Sequence, residues 1–184
     1  MAGKRFNFSA LPAELMDVLA RAGGPVRRTV RGKQPDECLT LDEFVAEALK
    51  SELKLKDIRR DSDGDIPIWF GSSVIFVSSH EEDSPFLSVW STLLHDVEVT
   101  PGLYEAVNAV NANLEFAKLF IDEENRNIVM EAWLIVMGLL NREQIAFAVE
   151  YLGDAADHFD TLLQQRFGGY LASEDVDDDD TVEF

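Results

Sequence analysis

IPIWF (residues 66–70) and VIFV (residues 74–77) begin the stretch of sequence that decides the fold. Both have the apolar composition and the alternation that are typical of β-strands. Further strands are predicted at 86–94, 116–121 and 128–136, and helices at 100–114 and 142–165. The pattern predicts an α+β fold with an antiparallel sheet. This stretch contains no glycine-rich phosphate loop and no nucleophile elbow, which favours a protein that binds something over one that converts it.

Three helices have clear start signals. Thr40 and Glu43 form a capping box, Thr100 precedes a proline at the first helical position, and Asn141 can cap the last helix. Each helix then carries one apolar stripe, and the sheet is the surface on which such a stripe can be buried. We therefore predict the order helix, three strands, helix, two strands, helix, with a single sheet of about five strands. The helices that begin after Thr40 and Asn141 should pack on one of its faces.

Charge and composition divide the chain into three parts. Residues 1–37 hold a predicted short helix at 11–22 and a linker with the basic cluster Arg27, Arg28, Arg31 and Lys33. Residues 38–167 form the α+β domain, and residues 168–184 form an acidic tail predicted to be disordered. The net charge is −19, and removing the seven acidic residues of the last twelve positions still leaves −12. Such an acidic surface argues against binding to nucleic acid or to an anionic membrane.

The cellular compartment is predicted from two kinds of segment, a membrane span and a signal peptide, that the sequence does not show. No run of about 18 apolar residues is present, and the N-terminus has no uninterrupted apolar region of a signal peptide. The single cysteine, Cys38, cannot form an internal disulfide and has no neighbouring base or cation. We expect a cytoplasmic protein in which Cys38 is an ordinary thiol.

One motif imitates a metal site. Asp61, Asp63 and Asp65 open like an EF-hand loop, but Ile66 and Ser72 stand where that loop requires glycine and glutamate. A turn built on aspartate and glycine is the favoured interpretation. The three histidines, at positions 80, 95 and 158, have no metal-ligand spacing to one another or to Cys38. We predict no catalytic residue, no metal and no cofactor, and hence no enzyme.

The same stretch resembles a known family. The resemblance rests on Asp63-Gly64-Asp65-Ile66 leading into a strand, on the strand at residues 73–78, on Asn108-Ala109-Val110-Asn111, and on Asn141-Arg142-Glu143. These segments resemble the YbjN-type proteins, in particular the actinobacterial YbjN-like branch, which share a fold with the type III secretion chaperones of the CesT class. The resemblance covers about residues 38–167. It implies a small, acidic, dimeric, non-catalytic protein that binds peptide segments of partner proteins.

Strand alternation brings the three tryptophans together. If Ile66, Leu87 and Ile128 mark the helix-covered face of their strands, Trp69, Trp90 and Trp133 all lie on the other face. Phe86 shares the parity of Trp90, and Val129 shares that of Trp133. The predicted partner-binding residues are therefore Trp69, Phe86, Trp90, Val129 and Trp133. A cover made by the central helix or by the N-terminal segment is the alternative, because a face this aromatic is not left to water.

Two functions from different classes remain. The first is a peptide-binding, chaperone-like module that holds a segment of a client protein in an apolar groove or along a sheet edge. The second is a regulatory or immunity-type acidic protein that docks as a folded body on a basic partner. The partners expected are a protein or peptide client and a second copy of the chain in a homodimer.

Overall fold

The computed structural model describes residues 30–31, 38–79, 86–136 and 140–172. The predicted helix at 11–22, most of the basic cluster and the tail from Ser173 onward lie outside these residues. Three helices are present in the described part: α1 (Leu41–Glu52), α2 (Pro101–Asn111) and α3 (Arg142–Phe167). The strands are β1 (Val30–Arg31), β2 (Cys38–Leu39), β3 (Ile66–Phe70), β4 (Ser73–Ser78), β5 (Phe86–His95), β6 (Lys118–Asp122), β7 (Asn127–Ile135) and β8 (Tyr170–Leu171).

The main sheet is antiparallel and six-stranded. Five strands follow the order β3-β4-β5-β7-β6, and β8 pairs with the end of β5. This confirms the predicted fold class and the order of helices and strands. The predicted capping box of Thr40 and Glu43 is formed, and Asn141 caps the last helix as predicted, in a second capping box with Gln144. Within the described residues, no helix combines the length and hydropathy that crossing a membrane requires.

Two short pairings were not predicted. The hairpin β1–β2 begins within the stretch that was interpreted as a linker. Strand β8 begins three residues after the predicted boundary at 167, because Gly168 and Gly169 adopt positive φ angles of 74° and 91° and turn the chain back toward β5. A side chain on Gly169 would lie 2.7 Å from the backbone oxygen of His95, so this close approach also requires glycine.

One face of the sheet carries the hydrophobic core. Its largest fully buried side chains come from β3, β4, β5 and β7 and from the helices, and they include Leu49, Ile66, Ile68, Ile75, Leu87, Leu93, Met130, Ile145 and Leu152. The buried apolar side chains of α1, α2 and α3 all belong to one cluster with these strand residues. We call this cluster the helix-side core. It fulfils the prediction that the helices after Thr40 and Asn141 pack on one face.

Polar contacts fasten the β3–β4 turn to α3. The carboxylate of Asp160, which is 1% exposed, accepts hydrogen bonds from the Ser72 and Ser73 hydroxyls at 2.8 Å each. Asp157 accepts one from the backbone N–H of Ser72 at 2.7 Å. Gly71 in this turn has a φ of +54°, and a side chain there would overlap the Asp157 carboxylate. The turn is therefore held to the helix from both of its serines.

Gly153 sets how closely α3 approaches the sheet. A Cβ atom at this position would lie 2.5 Å from the ring of Phe70 in β3. We expect Gly153→Ala to lower the free energy of unfolding by about 1–3 kcal/mol through overpacking, although alanine is the better helix former by about 1 kcal/mol. Urea denaturation measures the change. The double variant Phe70→Leu/Gly153→Ala should regain part of the loss; a Gly153→Ala variant as stable as the parent would contradict the close contact.

Candidate functional site on the tryptophan face

The strand register places all three tryptophans on one face of the sheet. Trp90 of β5 lies opposite Phe76 on one side and Glu131 on the other, Trp133 lies opposite Ser88, and Trp69 lies opposite Val74. The predicted alternation is thus confirmed, and Phe86 and Val129 lie on this face as well. We define the tryptophan face by Trp69, Phe76, Phe86, Trp90, Phe120, Val129, Glu131 and Trp133.

The helices pack on the other side. None of the tryptophan-face residues belongs to the helix-side core, and the buried residues of the central helix α2, Leu103 and Val107, do. The central helix therefore does not cover the tryptophans, which removes one of the alternatives. The other alternative, a cover made by the N-terminal segment, concerns residues outside the described part of the chain. All members of the face are partly accessible.

Two aromatic pairs dominate this surface. Phe76 and Trp90 are stacked, with ring centroids 4.5 Å apart and an interplanar angle of 17°. Phe86 and Trp133 meet edge to face, with centroids 5.8 Å apart. Ser78 and Ser88 are Cα partners in the register, and Ser88 also faces Trp133, so small side chains separate the two pairs. The two aromatic pairs thus lie on either side of Ser78 and Ser88, which we call the serine strip.

A hydrogen-bond chain fixes the Trp90 ring. Its Nε1 donates to the Ser78 hydroxyl at 3.1 Å, and that hydroxyl donates to the buried carboxylate of Asp65 at 2.5 Å. The polar atom of the indole is satisfied below the surface, so the ring can present its apolar area to a partner. A side chain held in place in this way loses little entropy when it binds.

Glu131 is the charged member of the face. It lies between Trp90 and Lys118 in the register, its side chain is only 14% exposed, and Lys118 Nζ is 4.0 Å away. Burial raises the pKa of the carboxyl, while a hydrogen bond from Trp133 and the charge of Lys118 oppose the shift. The Glu131 carboxylate is thus a hydrogen-bond acceptor among aromatic side chains, and the ammonium group of Lys118 lies at the outer limit of ion-pair distance from it. Such a group suits a cation supplied by a bound segment.

The raised pKa of Glu131 predicts a pH effect on stability. The folded chain holds the proton more tightly than the unfolded chain, so this contribution is full below the ordinary carboxyl pKa and is lost as the pH rises through the raised value. Glu131→Gln mimics the protonated form and keeps an acceptor for Trp133. We expect the variant to gain stability relative to the parent as the pH rises from 4 to 7. Exposed Glu115→Gln is the control, and parallel curves for parent and Glu131→Gln would refute the effect.

The two edges of the sheet are poor sites for adding a strand. On β6, the side-chain amide of Asn111 donates to the Leu119 carbonyl at 2.9 Å and accepts from the Leu119 N–H at 2.7 Å. These are the groups that an added strand would pair with. On the other edge, Pro67 in β3 has no N–H to donate. Both devices blunt an edge in the way that folded proteins avoid unwanted pairing.

The aspartate motif is a turn in the structure. Asp61 Oδ1 accepts hydrogen bonds from the backbone N–H groups of Asp63 at 3.0 Å and Asp65 at 2.9 Å. Gly64 has a φ of 87°, and its carbonyl accepts from Arg60 at 2.9 Å. The Asp61 carboxylate is thus used to close its own turn, as the favoured interpretation requires. Over the described ranges, no group of three or more His, Cys, Asp or Glu side chains is placed to hold a metal ion.

Two residues of the face were not named from the sequence. Phe76 and Phe120 join it through the pairings of β4 and β6. The sequence showed on which side of its own strand each residue lies, but it did not show which strands are neighbours in the sheet. A second aromatic cluster, made of Phe116, Phe147 and Tyr151 with centroids 5.8–5.9 Å apart, lies between α3 and the segment before β6. Phe147 is 55% exposed.

Comparison with known families identifies the class of protein. Residues 40–175 match the family TY-Chap1, described as type III secretion system (YopN, CesT) and YbjN peptide-binding chaperone 1. The match spans well over half of the chain, so the chain belongs to this family. Its members are peptide-binding chaperones and not enzymes, which makes this chain a non-catalytic, chaperone-like protein. No curated protein matches it significantly in sequence.

Solved structures share the fold. A chain of the ExsC–ExsE complex is 17% identical, has a TM-score of 0.51 and aligns over 66% of this chain and 92% of its own length. The HopA1–SchA chaperone–effector complex (10% identity, TM-score 0.49, 64% and 91% coverage) and YbjN from E. coli (15%, 0.49, 66% and 90%) are also similar. At 17% identity, the likeness to the chain of the ExsC–ExsE complex shows a shared fold.

Proposed function

We propose that the chain is a cytoplasmic chaperone-like module that holds an apolar segment of a partner protein on its tryptophan face. One observation carries this proposal: all three tryptophans lie on the sheet face that the three described helices leave uncovered. Interfaces draw most of their binding energy from a few aromatic and arginine anchors. The family description, a peptide-binding chaperone, supports the same conclusion.

Binding across the face is the favoured mode. Strand addition needs free N–H and C=O groups along an edge, and Asn111 and Pro67 restrict both edges. The face instead offers the Phe76–Trp90 and Phe86–Trp133 pairs with the serine strip between them. A segment with apolar side chains at helical spacing can lay these against both pairs. Glu131 then accepts a hydrogen bond from a basic residue of the segment.

Ionic strength separates this proposal from docking as a folded acidic body. The test selects binders from a random 12-residue peptide library on the intact chain and measures their affinity at low and high salt. Apolar binding across the face should change by about twofold at most, whereas docking through the acidic surface should weaken by more than about tenfold. Selected peptides whose binding vanishes in high salt would favour the regulatory or immunity-type alternative.

A further inference from the structure

The chain has opposite charges in its two parts. Residues 1–33 contain seven Lys or Arg and two Asp or Glu, a net charge of +5. Residues 34–184 contain nine Lys or Arg and 33 Asp or Glu, a net charge of −24. A basic segment joined to so acidic a body is attracted to it at physiological ionic strength. The N-terminal segment therefore has an electrostatic reason to lie against its own domain.

The same segment has the apolar pattern that the tryptophan face would select. At helical spacing, Leu11, Leu15, Val18, Leu19 and Ala22 share one side, and Ala13, Asp17 and Ala20 lie on the other. Arg21, Arg27 and Arg28 follow this stripe or adjoin it. A helix of 12 residues is about 18 Å long, which matches about 19 Å for four strand spacings. The segment has the length needed to cross five strands.

The point where the chain joins the domain lies next to the face. Helix α1 begins at Leu41, and Asp42 in its first turn accepts a hydrogen bond from the Ser79 hydroxyl at 2.6 Å. The preceding residue of the strand, Ser78, holds the Trp90 indole. Residues that precede Thr40 therefore start near the tryptophan face. Val30 of β1 lies beside Leu39 of β2, so the seven residues 23–29 are the chain that links Ala22 to this point. Extended by about 3.3 Å per residue, they span about 23 Å, which is more than the width of about 19 Å across five strands.

We infer that residues 11–22 of the same chain occupy the tryptophan face when no client is bound, with the leucine stripe on the aromatic pairs and an arginine at Glu131. This inference rests on the proposed function, because it requires the face to be a docking surface. The segment is then an intramolecular competitor that every client must displace. A tethered segment acts at an effective concentration of about a millimolar, so clients that bind weakly are rejected.

Tryptophan fluorescence reports on this event directly. The chain has three tryptophans, all on the face, and the N-terminal segment has none. The test compares acrylamide quenching of the intact chain with that of Leu15→Asp/Leu19→Asp, which breaks the stripe. Ala13→Asp/Ala20→Asp, with the same charge change on the opposite side, is the matched control. Quenching should increase about twofold or more in the leucine variant only, because the competitor is lost.

A second arm adds the segment back. A synthetic peptide of residues 5–29 should restore protection from quenching in the Leu15→Asp/Leu19→Asp variant. Equal quenching in the parent and in both variants would overturn the inference. Protection in the parent that rises with protein concentration would also overturn it, since the occupant would then be a second copy.

The library peptides separate failure of this inference from failure of the proposed function. Peptides selected on the tryptophan face should bind the Leu15→Asp/Leu19→Asp variant about tenfold more tightly than the parent, because no cover is displaced. If the peptides bind the parent and the Leu15→Asp/Leu19→Asp variant equally well, but no longer bind Trp90→Gln, the inference is wrong and the proposed function stands. Binding that is indifferent to Trp90 in either chain would overturn both.

Discussion

Replacing Trp90 with glutamine should weaken the binding of a client peptide by about 30-fold or more, the loss that a central aromatic anchor produces. The domain should stay folded, because the helix-side core lies on the opposite face of the sheet and Trp90 is not part of it. The stacking on Phe76 is lost, at a cost of about 0.5–1.5 kcal/mol. Titration of a selected peptide and thermal melting, performed on the same variant, measure both quantities.

The control for Trp90 is a substitution that keeps an aromatic ring at this position and removes the indole N–H. Trp90→Phe should retain most of the affinity, since an aromatic ring at this position can still stack on Phe76 and on a bound side chain. If Trp90 is instead an ordinary core residue, Trp90→Ala will cost about 3–5 kcal/mol of stability and leave association unchanged. That outcome would abolish the proposed binding surface.

Asp160→Ala should destabilise the domain by about 2–4 kcal/mol. The substitution removes the acceptor of the Ser72 and Ser73 hydroxyls, and Ser73 is itself buried, so its hydroxyl is left without that partner inside the fold. The effect should appear as a lower midpoint in guanidinium denaturation. Asp154→Ala, an exposed position on the same helix, is the matched control and should change stability by less than about 0.5 kcal/mol.

The two serines allow the Asp160 contact to be tested from the other side. Ser73→Ala in the Asp160→Ala background should add little further loss, because the hydroxyl that it removes has already lost its acceptor. Additive losses from Asp160 and Ser73 would mean that the carboxylate does not fasten the turn to α3.

The sequence predicted the long elements because their periods are strong. The alternation in β3, β5 and β7 was sufficient to place Trp69, Trp90 and Trp133 on one face before the neighbours of each strand were known. The caps at Thr40 and Asn141 located two helix starts for the same reason: the signal lies within four residues.

What escaped prediction depends on contacts between distant residues. Strands of two residues, such as β8, have no period to detect, and their pairing is decided by the turn at Gly168 and Gly169. The bonds from Ser72 and Ser73 to Asp160 join positions 87 or 88 apart. The surroundings of Glu131 require knowledge that β7 lies between β5 and β6. Local patterns carry no information about such neighbours.

The amide of Asn111 on Leu119 limits how copies of this protein can assemble. A sheet that grows by edge pairing exposes a new edge at every step, so it polymerises into fibres. Because the Asn111 side chain occupies the backbone N–H and C=O groups of Leu119, the edge at β6 does not start such growth. If copies associate, the contact that avoids this growth is one between faces, and a face that pairs with itself about a two-fold axis is consumed in a single step. Any assembly built in this way is finite, and its smallest form is a pair.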